Sequence, residues 1–302
     1  MTNEFAIITH TLSKSYGNNP AVQGLNLSVK RHEITAFLGR NGAGKSTTLK
    51  MLLGMIRPTS GTAVVLGKDI TDSADSREVR RRVAYVAEDK PLYGYMTVGQ
   101  MIRFAKSFYS DWRADLEKKL LLDYELPIER KVKTLSKGMR TKLALLLAFS
   151  RRPDLVILDE PSEGLDPVGI EHLLSSLVTQ AAEGVSIFFS SHQIAEVERV
   201  ADSVCILEKG HLLVEQSLDE LRQSYRRIDL VFDSAPPEHE FRFEGVHRIE
   251  ARGRHLSVFA ESNTEAVIER ARCLNALSVE VSPIPLRDIF LETVKEDQSA
   301  LV

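Results

Sequence analysis

The chain contains 302 residues, 43% of them hydrophobic and 27% charged, and carries a formal net charge of −3. This composition is ordinary for a water-soluble globular protein and allows one large or two modest domains. The charge balance gives no support to a nucleic-acid partner, which would favour a strongly basic face. The two cysteines, Cys205 and Cys273, are far apart in the sequence and fit a reducing compartment.

The sequence also lacks the patterns of membrane-spanning and secreted chains. No apolar stretch approaches the ~18 residues that cross a bilayer, and the longest, Leu143–Phe149, has the length of a buried helix. The first residues, Met1–Phe5, lack a basic segment followed by an apolar core. We therefore expect a chain that stays in the cytoplasm and reaches any membrane only through another polypeptide.

The chain begins with β patterns. Phe5–Thr11 and Ala21–Val29 alternate as strands do, and residues 16–20 form a turn between them. Ile34–Leu38 has the pattern of a short buried strand, and Thr48–Leu53 has that of the first turns of a helix.

Residues 39–47, GRNGAGKST, match the phosphate-binding loop pattern G-x-x-x-x-G-K-[ST] without a mismatch and join this strand to this helix. Glycines in such a loop let backbone N–H groups surround phosphates, helped by the positive end of the helix dipole. Lys45 would reach the β- and γ-phosphates, and the Ser46 hydroxyl would hold Mg²⁺. The sequence therefore predicts a nucleoside triphosphate site. The loop residues expected to bind it are Gly39, Asn41, Gly42, Gly44, Lys45, Ser46 and Thr47.

Strand patterns then alternate with polar and helical stretches. Strands are predicted at 63–67 and 83–87, with a polar, charged segment at 71–82, and helical periodicity runs from about 97 to 150. Later strands are predicted at 155–158, 185–189, 204–207 and 211–214. This alternation predicts a largely parallel sheet wrapped by helices, with a helical insertion near the middle.

Two of the later strands end in chemically active side chains. The apolar strand Leu155–Leu158 runs into Asp159 and Glu160, at the sheet edge where a phosphate loop also lies. Asp159 would complete the Mg²⁺ shell, and Glu160 would orient or deprotonate the attacking water. His192 follows the strand ending at Phe189 and would contact the γ-phosphate or that water, although an isolated histidine at a strand end is more often structural.

The segment Leu135–Met139 opens a long apolar helix. Ser136 is a candidate N-cap, and its hydroxyl together with the exposed N–H groups of the first turn could bind an anion. From the spacing alone, a simple helix cap is the favoured interpretation.

Beyond Tyr225 the patterns describe a second, smaller domain. A polar link at 234–238 lies within it. Strands are predicted at 228–232, 247–251, 256–259 and 278–281, and helices at 265–274 and 286–295. Together they predict a small α+β domain of about 75 residues.

These motifs, in this order, resemble the ATP-binding subunits of ABC transporters over residues 4–220. The phosphate loop, the carboxylate strand, the segment Pro161–Asp166 and His192 all occur in the family's order. The resemblance implies that Leu135–Met139 is the signature segment, in which Ser136 and Gly138 contact the γ-phosphate bound to a partner subunit. It also implies roles for three residues that the motifs alone do not assign. These are Tyr16, which would stack on adenine, Glu88, in place of a glutamine that touches Mg²⁺, and Asp166, which would close the loop after the catalytic glutamate.

The chain departs from the family pattern at several positions. Lys137 and Met139 replace a glycine and a glutamine of the usual signature L-S-G-G-Q, while Ser136 and Gly138 are retained. A carboxylate at Glu88 adds negative charge beside Glu160, and Glu163 stands where a small residue is usual. The ending PLRDIFLE at 285–292 resembles the tails of subunits that serve ABC-2-type exporters.

The resemblance implies an α/β fold, a P-loop NTPase of ABC type with an antiparallel β subdomain and a helical insertion, plus a small C-terminal α+β domain. We expect the ATP-binding domain at residues 1–224, with its helical subdomain at about 95–150, and the small domain at 225–302. The implied activity is ATP hydrolysis with Mg²⁺ as cofactor, in a head-to-tail homodimer or heterodimer bound to membrane-spanning permease subunits. The chain would then sit peripherally on the cytoplasmic side of the cell membrane, most similar to subunits of exporters.

Two other functions fit parts of the sequence. A soluble ABC-type ATPase could act on ribosomes or DNA, but such proteins usually carry two ATP modules or a coiled-coil insertion, and neither is present. A nucleotide-sensing regulatory module with little hydrolysis is motivated by Glu88 and Lys137. Retention of Glu160 and His192 weighs against that alternative.

Overall fold

A computed structural model of the chain describes residues 4–299. Residues 1–3, at the start of the first predicted domain, and residues 300–302, at the end of the second, lie outside the described residues. The side chains of residues 295–299 are also outside them. The chain divides into two compact units, Met1–Glu215 and Gln216–Val302, named here the first and second units. Among the described residues, no helix is both long enough and apolar enough to cross a membrane.

Strands and helices alternate through the described chain. The strands are β1 Phe5–Tyr16, β2 Asn19–Leu25, β3 Ser28–Lys30, β4 Ile34–Gly39, β5 Ser60–Val65, β6 Lys68–Asp69, β7 Val83–Val86, β8 Leu155–Asp159, β9 Ser186–Ser191, β10 Ser203–Glu208, β11 His211–Ser217, β12 Arg226–Val231, β13 Val246–Arg252, β14 His255–Ala260 and β15 Ser278–Pro283. The α-helices are α1 Lys45–Leu52, α2 Ser73–Arg82, α3 Val98–Lys106, α4 Ala114–Asp123, α5 Lys137–Ser150, α6 Pro167–Ala182, α7 Ile194–Val200, α8 Leu218–Ser224, α9 Thr264–Cys273 and α10 Leu286–Ser299.

The first unit is built on a six-stranded sheet in the order β11-β10-β4-β9-β8-β7. The neighbours β10 and β4, β4 and β9, β9 and β8, and β8 and β7 are parallel. Every residue of β4, β8 and β9 is buried, as expected for strands covered on both faces. The predicted parallel sheet is therefore confirmed, and the carboxyl ends of β4, β8 and β9 meet at one edge.

An antiparallel sheet packs into the core of the same unit. Its order is β2-β1-β5-β6, with β3 paired to β1. The predicted single strand Ala21–Val29 is wrong, because β2 ends at Leu25 and β3 begins at Ser28. At Asn26, between them, the side-chain oxygen accepts a hydrogen bond from the Thr11 backbone at 2.8 Å. The first predicted strand is longer than expected, since β1 continues to Tyr16 with Leu12 fully buried.

Helices α3, α4 and α5 occupy the segment for which helical periodicity predicts an insertion. The α3 helix opens with a capping box, in which the Thr97 hydroxyl accepts from the Gln100 backbone N–H and the Gln100 side-chain oxygen accepts from the Thr97 backbone N–H. The polar segment 71–82, for which the sequence predicts no helix, contains helix α2, which is capped by Asp72.

The second unit has its own core. Its four strands form an antiparallel sheet in the order β13-β14-β12-β15. Leu230 of β12, Val258 of β14 and Val267 of α9 are fully buried in a single apolar cluster with Phe241. The strands and helices predicted beyond Tyr225 are found within a few residues of their expected positions.

Candidate active site

The phosphate-binding loop connects β4 to α1 at the carboxyl edge of the parallel sheet. Gly42 and Gly44 have φ values of 84° and 108°, in the region that favours glycine. A Cβ atom on Gly39 would lie 2.5 Å from the Leu207 carbonyl oxygen, and one on Gly44 would overlap the Ala21 carbonyl oxygen. The loop therefore has the backbone conformation and the close packing that its glycines predict.

Lys45 begins helix α1, and its side chain folds back across the loop. Its Nζ atom donates to the Gly39 carbonyl oxygen at 2.7 Å and lies 3.2 Å from Oε1 of Glu160. Both charged side chains are buried. The ammonium group is thus held at the centre of the loop, where bound phosphates would need a cation.

Asp159 and Glu160 stand at the end of β8, next to Ser190 of β9. The Ser190 hydroxyl donates to Oδ1 of Asp159 at 2.7 Å and accepts a hydrogen bond from the Glu160 backbone N–H at 3.0 Å. The Glu160 backbone has a φ of 47°, which turns the chain sharply away from the strand. Sequence reasoning missed Ser190, although a hydroxyl at the end of an otherwise apolar strand is the signal that marks it.

His192 lies beside Glu160. Its ring Nδ1–H donates to Oε2 of Glu160 at 2.8 Å, which holds the carboxylate in place. The other oxygen, Oε1, is buried and has no hydrogen-bond partner within residues 4–299, in spite of its contact with Lys45. A buried carboxylate oxygen with free acceptor capacity is suited to bind a water molecule.

Two adjoining cavities surround these groups. The first, about 410 Å³, holds the loop and both catalytic candidates; its lining is Ala21, Arg40, Asn41, Gly42, Gly44, Lys45, Ser46, Thr47, Glu88, Glu160, Glu163 and His192. The second, about 650 Å³, brings the three predicted metal ligands Ser46, Glu88 and Asp159 to one surface. Their oxygen atoms are of the type that Mg²⁺ prefers.

The donor set is incomplete without a substrate. In the described part of the chain, no cluster of three or more His, Cys, Asp or Glu side chains could hold a metal ion. Mg²⁺ is commonly held by one or two carboxylates together with substrate phosphates, so Ser46, Asp159 and Glu88 fit an ion that arrives with a nucleotide.

Four predicted residues lie elsewhere. Tyr16 ends β1 with its ring half exposed and the Lys14 ammonium 5.3 Å from the ring centroid, and it is not among the residues lining the two cavities. Ser136 caps α5 by accepting from the Met139 backbone at 3.2 Å, and Gly138 lies in the first turn of that helix. Asp166 caps α6 by accepting from the Gly169 backbone at 2.6 Å.

Comparison with known proteins identifies the family. The model of the ABC transporter family matches residues 22–163. The uncharacterized ABC transporter ATP-binding protein YhaQ of Bacillus subtilis is 30% identical over 94% of this chain and 96% of its own length. The bacitracin transport ATP-binding protein BcrA of Bacillus licheniformis is 36% identical over 73% of this chain and 72% of its own length.

Solved structures of ABC transporter ATP-binding proteins have the same fold. An ATP-binding subunit of an ABC transporter has 34% identity and a TM-score of 0.67, covering 72% of this chain and 92% of that one. The dimeric MJ0796 cassette shares the fold, with a TM-score of 0.64 at 22% identity, over 70% of this chain and 98% of its own.

The chain therefore belongs to the ATP-binding proteins of ABC transporters, which confirms the resemblance and the predicted fold class. It is an ATP-binding and ATP-hydrolysing subunit that powers transport.

Proposed function

We propose that two ATP-binding subunits enclose two ATP molecules, each held between the phosphate loop of one subunit and the start of α5 in the other. One observation carries this proposal: the site within one chain is divided. Lys45, Glu160 and His192 converge on the first cavity. Ser136 and Gly138, at the start of α5, line neither cavity, although Lys137 between them lines the second. A second subunit would bring those groups to the nucleotide.

Within each site, Glu160 acts as the base that orients or deprotonates the attacking water through Oε1. His192 fixes the other carboxylate oxygen and lies at the edge of the same cavity. The Lys45 ammonium exchanges the Gly39 carbonyl and Glu160 for the β- and γ-phosphates, which releases the carboxylate for the water.

Ser46, Asp159 and Glu88 would hold Mg²⁺, with Ser190 orienting Asp159 through its hydroxyl. An ion held by these residues together with nucleotide would supply positive charge for the phosphate oxygens. Tyr16 offers a half-exposed ring on which an adenine can stack. Asp166, which caps α6, would close the loop that follows Glu160.

The partners we propose are membrane-spanning permease subunits, which would place the chain peripherally on the cytoplasmic side of the membrane. Relatives named for bacitracin transport and for multidrug transport support a transporter role, and the ending at 285–292 favours export. A row of exposed aromatic rings supports a docking surface. The rings follow one another in the order Tyr95, Tyr93, Phe104 and Phe108, with 5.1–5.8 Å between neighbouring ring centroids. Exposed apolar patches commonly mark protein contacts.

Fractionation of cells that express the full chain tests this assignment. We expect the chain in the membrane fraction and, after detergent extraction, in a stoichiometric complex with a hydrophobic, multi-spanning polypeptide. Phe108→Asp should release it to the soluble fraction, whereas Val178→Asp, at an exposed position of α6, should not. A wild-type chain that sediments with ribosomes or stays entirely soluble would contradict the assignment and favour the soluble ATPase.

A further inference from the structure

The departures from the family pattern at 88, 137 and 163 come together in space. Nζ of Lys137 lies 2.6 Å from Oε1 of Glu163, and Glu88 and Glu163 line both cavities of the site. Their neighbour is Lys90, whose side chain also lines the second cavity. Together with Lys90, the three substituted positions form one charge cluster of two carboxylates and two ammonium groups.

Two members of this cluster are incompletely paired. Lys90 is only 5% exposed, and its Nζ atom has no hydrogen-bond partner among residues 4–299. Oε2 of Glu163 is also buried and without a hydrogen-bond partner in the described residues. Burial lowers the pKa of Lys90, and the negative charge of Glu163 opposes that shift. The Lys90 ammonium and Oε2 of Glu163 are therefore two buried groups of the same cluster, and each can accept a further partner.

Lys137 is held in place by packing as well as by charge. It is the first residue of α5, where a positive side chain is disfavoured by the helix dipole. Its aliphatic part passes directly over Gly164, so that a Cβ atom on Gly164 would lie 2.7 Å from Cδ of Lys137. The ion pair with Glu163 compensates the unfavourable position and lowers the pKa of Glu163, while the ammonium remains half exposed.

We propose that the Lys137 side chain contacts phosphate when two chains enclose ATP, and that it pairs with Glu163 until then. The ammonium group then leaves Glu163 for the terminal phosphates of the nucleotide on the second chain, and Lys90 pairs with Glu163 in its place. The proposal rests on the dimer proposed above. Lys137 stands between Ser136 and Gly138, the two residues assigned to that nucleotide, so its long side chain starts at the phosphate-facing turn.

The exchange leaves Lys137, Glu163 and Lys90 each with a partner of opposite charge. A phosphate at the start of a helix is stabilised by the backbone N–H groups, and it removes the conflict between Lys137 and the helix dipole. Lys90 neutralises the carboxylate that Lys137 leaves behind, which accounts for a buried ammonium group that makes no hydrogen bond with any residue that the structure describes.

Opposite effects of two substitutions test the proposal. The dimer dissociation constant is measured by sedimentation velocity on the full chain with Mg²⁺ and the β,γ-imido analogue of ATP. Lys137→Met should raise this constant about tenfold, the scale of one lost charge-assisted hydrogen bond. Glu163→Gln should lower it about threefold, because the competing surface ion pair is gone. An ion pair that only supports the fold would instead shift both variants in the same direction.

Further variants test whether Lys137 and Lys90 exchange at Glu163. Lys137→Met/Glu163→Gln should match Lys137→Met, and Lys137→Arg should dimerise as the wild type does. Lys90→Met should weaken the dimer, and adding Glu163→Gln should remove that loss. Lys142→Met, a lysine later in α5, is the matched control and should have no effect. Thermal unfolding of each variant shows that it is folded.

The outcomes separate this inference from the proposed dimer. If the wild-type chain remains monomeric with the analogue, the dimer proposal fails. If the wild type dimerises while Lys137→Met is unchanged, or while Glu163→Gln weakens the dimer, the role of Lys137 is overturned and the dimer stands.

Discussion

At the scale of single residues, Glu160 has the environment that a general base requires. It is buried and fixed at one oxygen by His192, and its other oxygen contacts the Lys45 ammonium without accepting a hydrogen bond from any described residue. Because general base catalysis contributes about 10²–10⁴-fold, Glu160→Gln should lower phosphate release by at least about 10²-fold while ATP binding persists. The variant should also accumulate as an ATP-bound dimer.

Phosphate release and ATP binding by equilibrium dialysis check this prediction on the same preparation. Glu171→Gln, which removes an exposed carboxylate paired with Arg199 on the protein surface, is the matched control and should retain full activity. Wild-type turnover by Glu160→Gln would remove Glu160 from its proposed role.

Lys45 serves both the empty loop and the bound nucleotide. Lys45→Ala should abolish measurable ATP binding, because the loop loses the buried ammonium group that would contact the phosphates. It should also destabilise the fold, on the order of 3 kcal/mol, because Glu160 is left buried without its cation.

The double variant Lys45→Ala/Glu160→Gln separates the two effects. Chemical unfolding should show that much of the lost stability returns, since the uncompensated charge is gone, while ATP binding remains absent. Unchanged ATP affinity in Lys45→Ala would contradict the assignment of the loop.

At the scale of elements, the start of α5 has a structural role and a proposed functional role that can be separated. Ser136→Ala removes the helix cap and should cost about 1 kcal/mol of unfolding free energy and weaken ATP-dependent dimerisation. Ser136→Asp keeps a capping side chain, so stability should be near the wild-type value, but its negative charge should repel the phosphates. Dimerisation by Ser136→Asp with wild-type affinity would leave Ser136 as a helix cap only.

The elements recovered from the sequence are those whose patterns are local. A pattern of only a few residues is enough to predict the apolar strand β8, the phosphate loop or the capped start of α5. Helix α2 was missed because only Ser76 and Val79 of its ten residues are buried, which leaves almost no apolar periodicity to detect. The break between β2 and β3 falls at residues 26–27, where Asn26 accepts a hydrogen bond from the distant Thr11 backbone, and no alternation of side chains predicts that contact.

The sequence predicts part of the candidate site, again where the patterns are local. Lys45, Asp159, Glu160 and His192 belong to motifs or strand ends, so their convergence follows from a parallel sheet. The pairing of Lys137 with Glu163 joins residues from separate elements, and the burial of Lys90 depends on how the segment after β7 packs. Such contacts are set by tertiary structure, and no spacing in the sequence predicts them.

At the scale of the whole molecule, the two units have separate apolar cores. We propose that the predicted boundary near residue 224 separates a self-sufficient ATP-binding domain from the small C-terminal domain. A fragment of residues 1–224 should unfold cooperatively and bind ATP with an affinity within about threefold of the full chain. Calorimetry and ATP titration check this, and a fragment that aggregates or loses ATP binding would show that the C-terminal residues complete the fold.

The central claim is that each ATP is hydrolysed between two subunits. The most direct measurement is the steady-state ATPase rate per chain over a wide range of protein concentration, with the mass followed in parallel by light scattering. We predict that the rate per chain falls towards zero on dilution, as the mass in ATP approaches the 33.8 kDa of one chain. A rate per chain that stays constant while the protein is strictly monomeric would contradict the account.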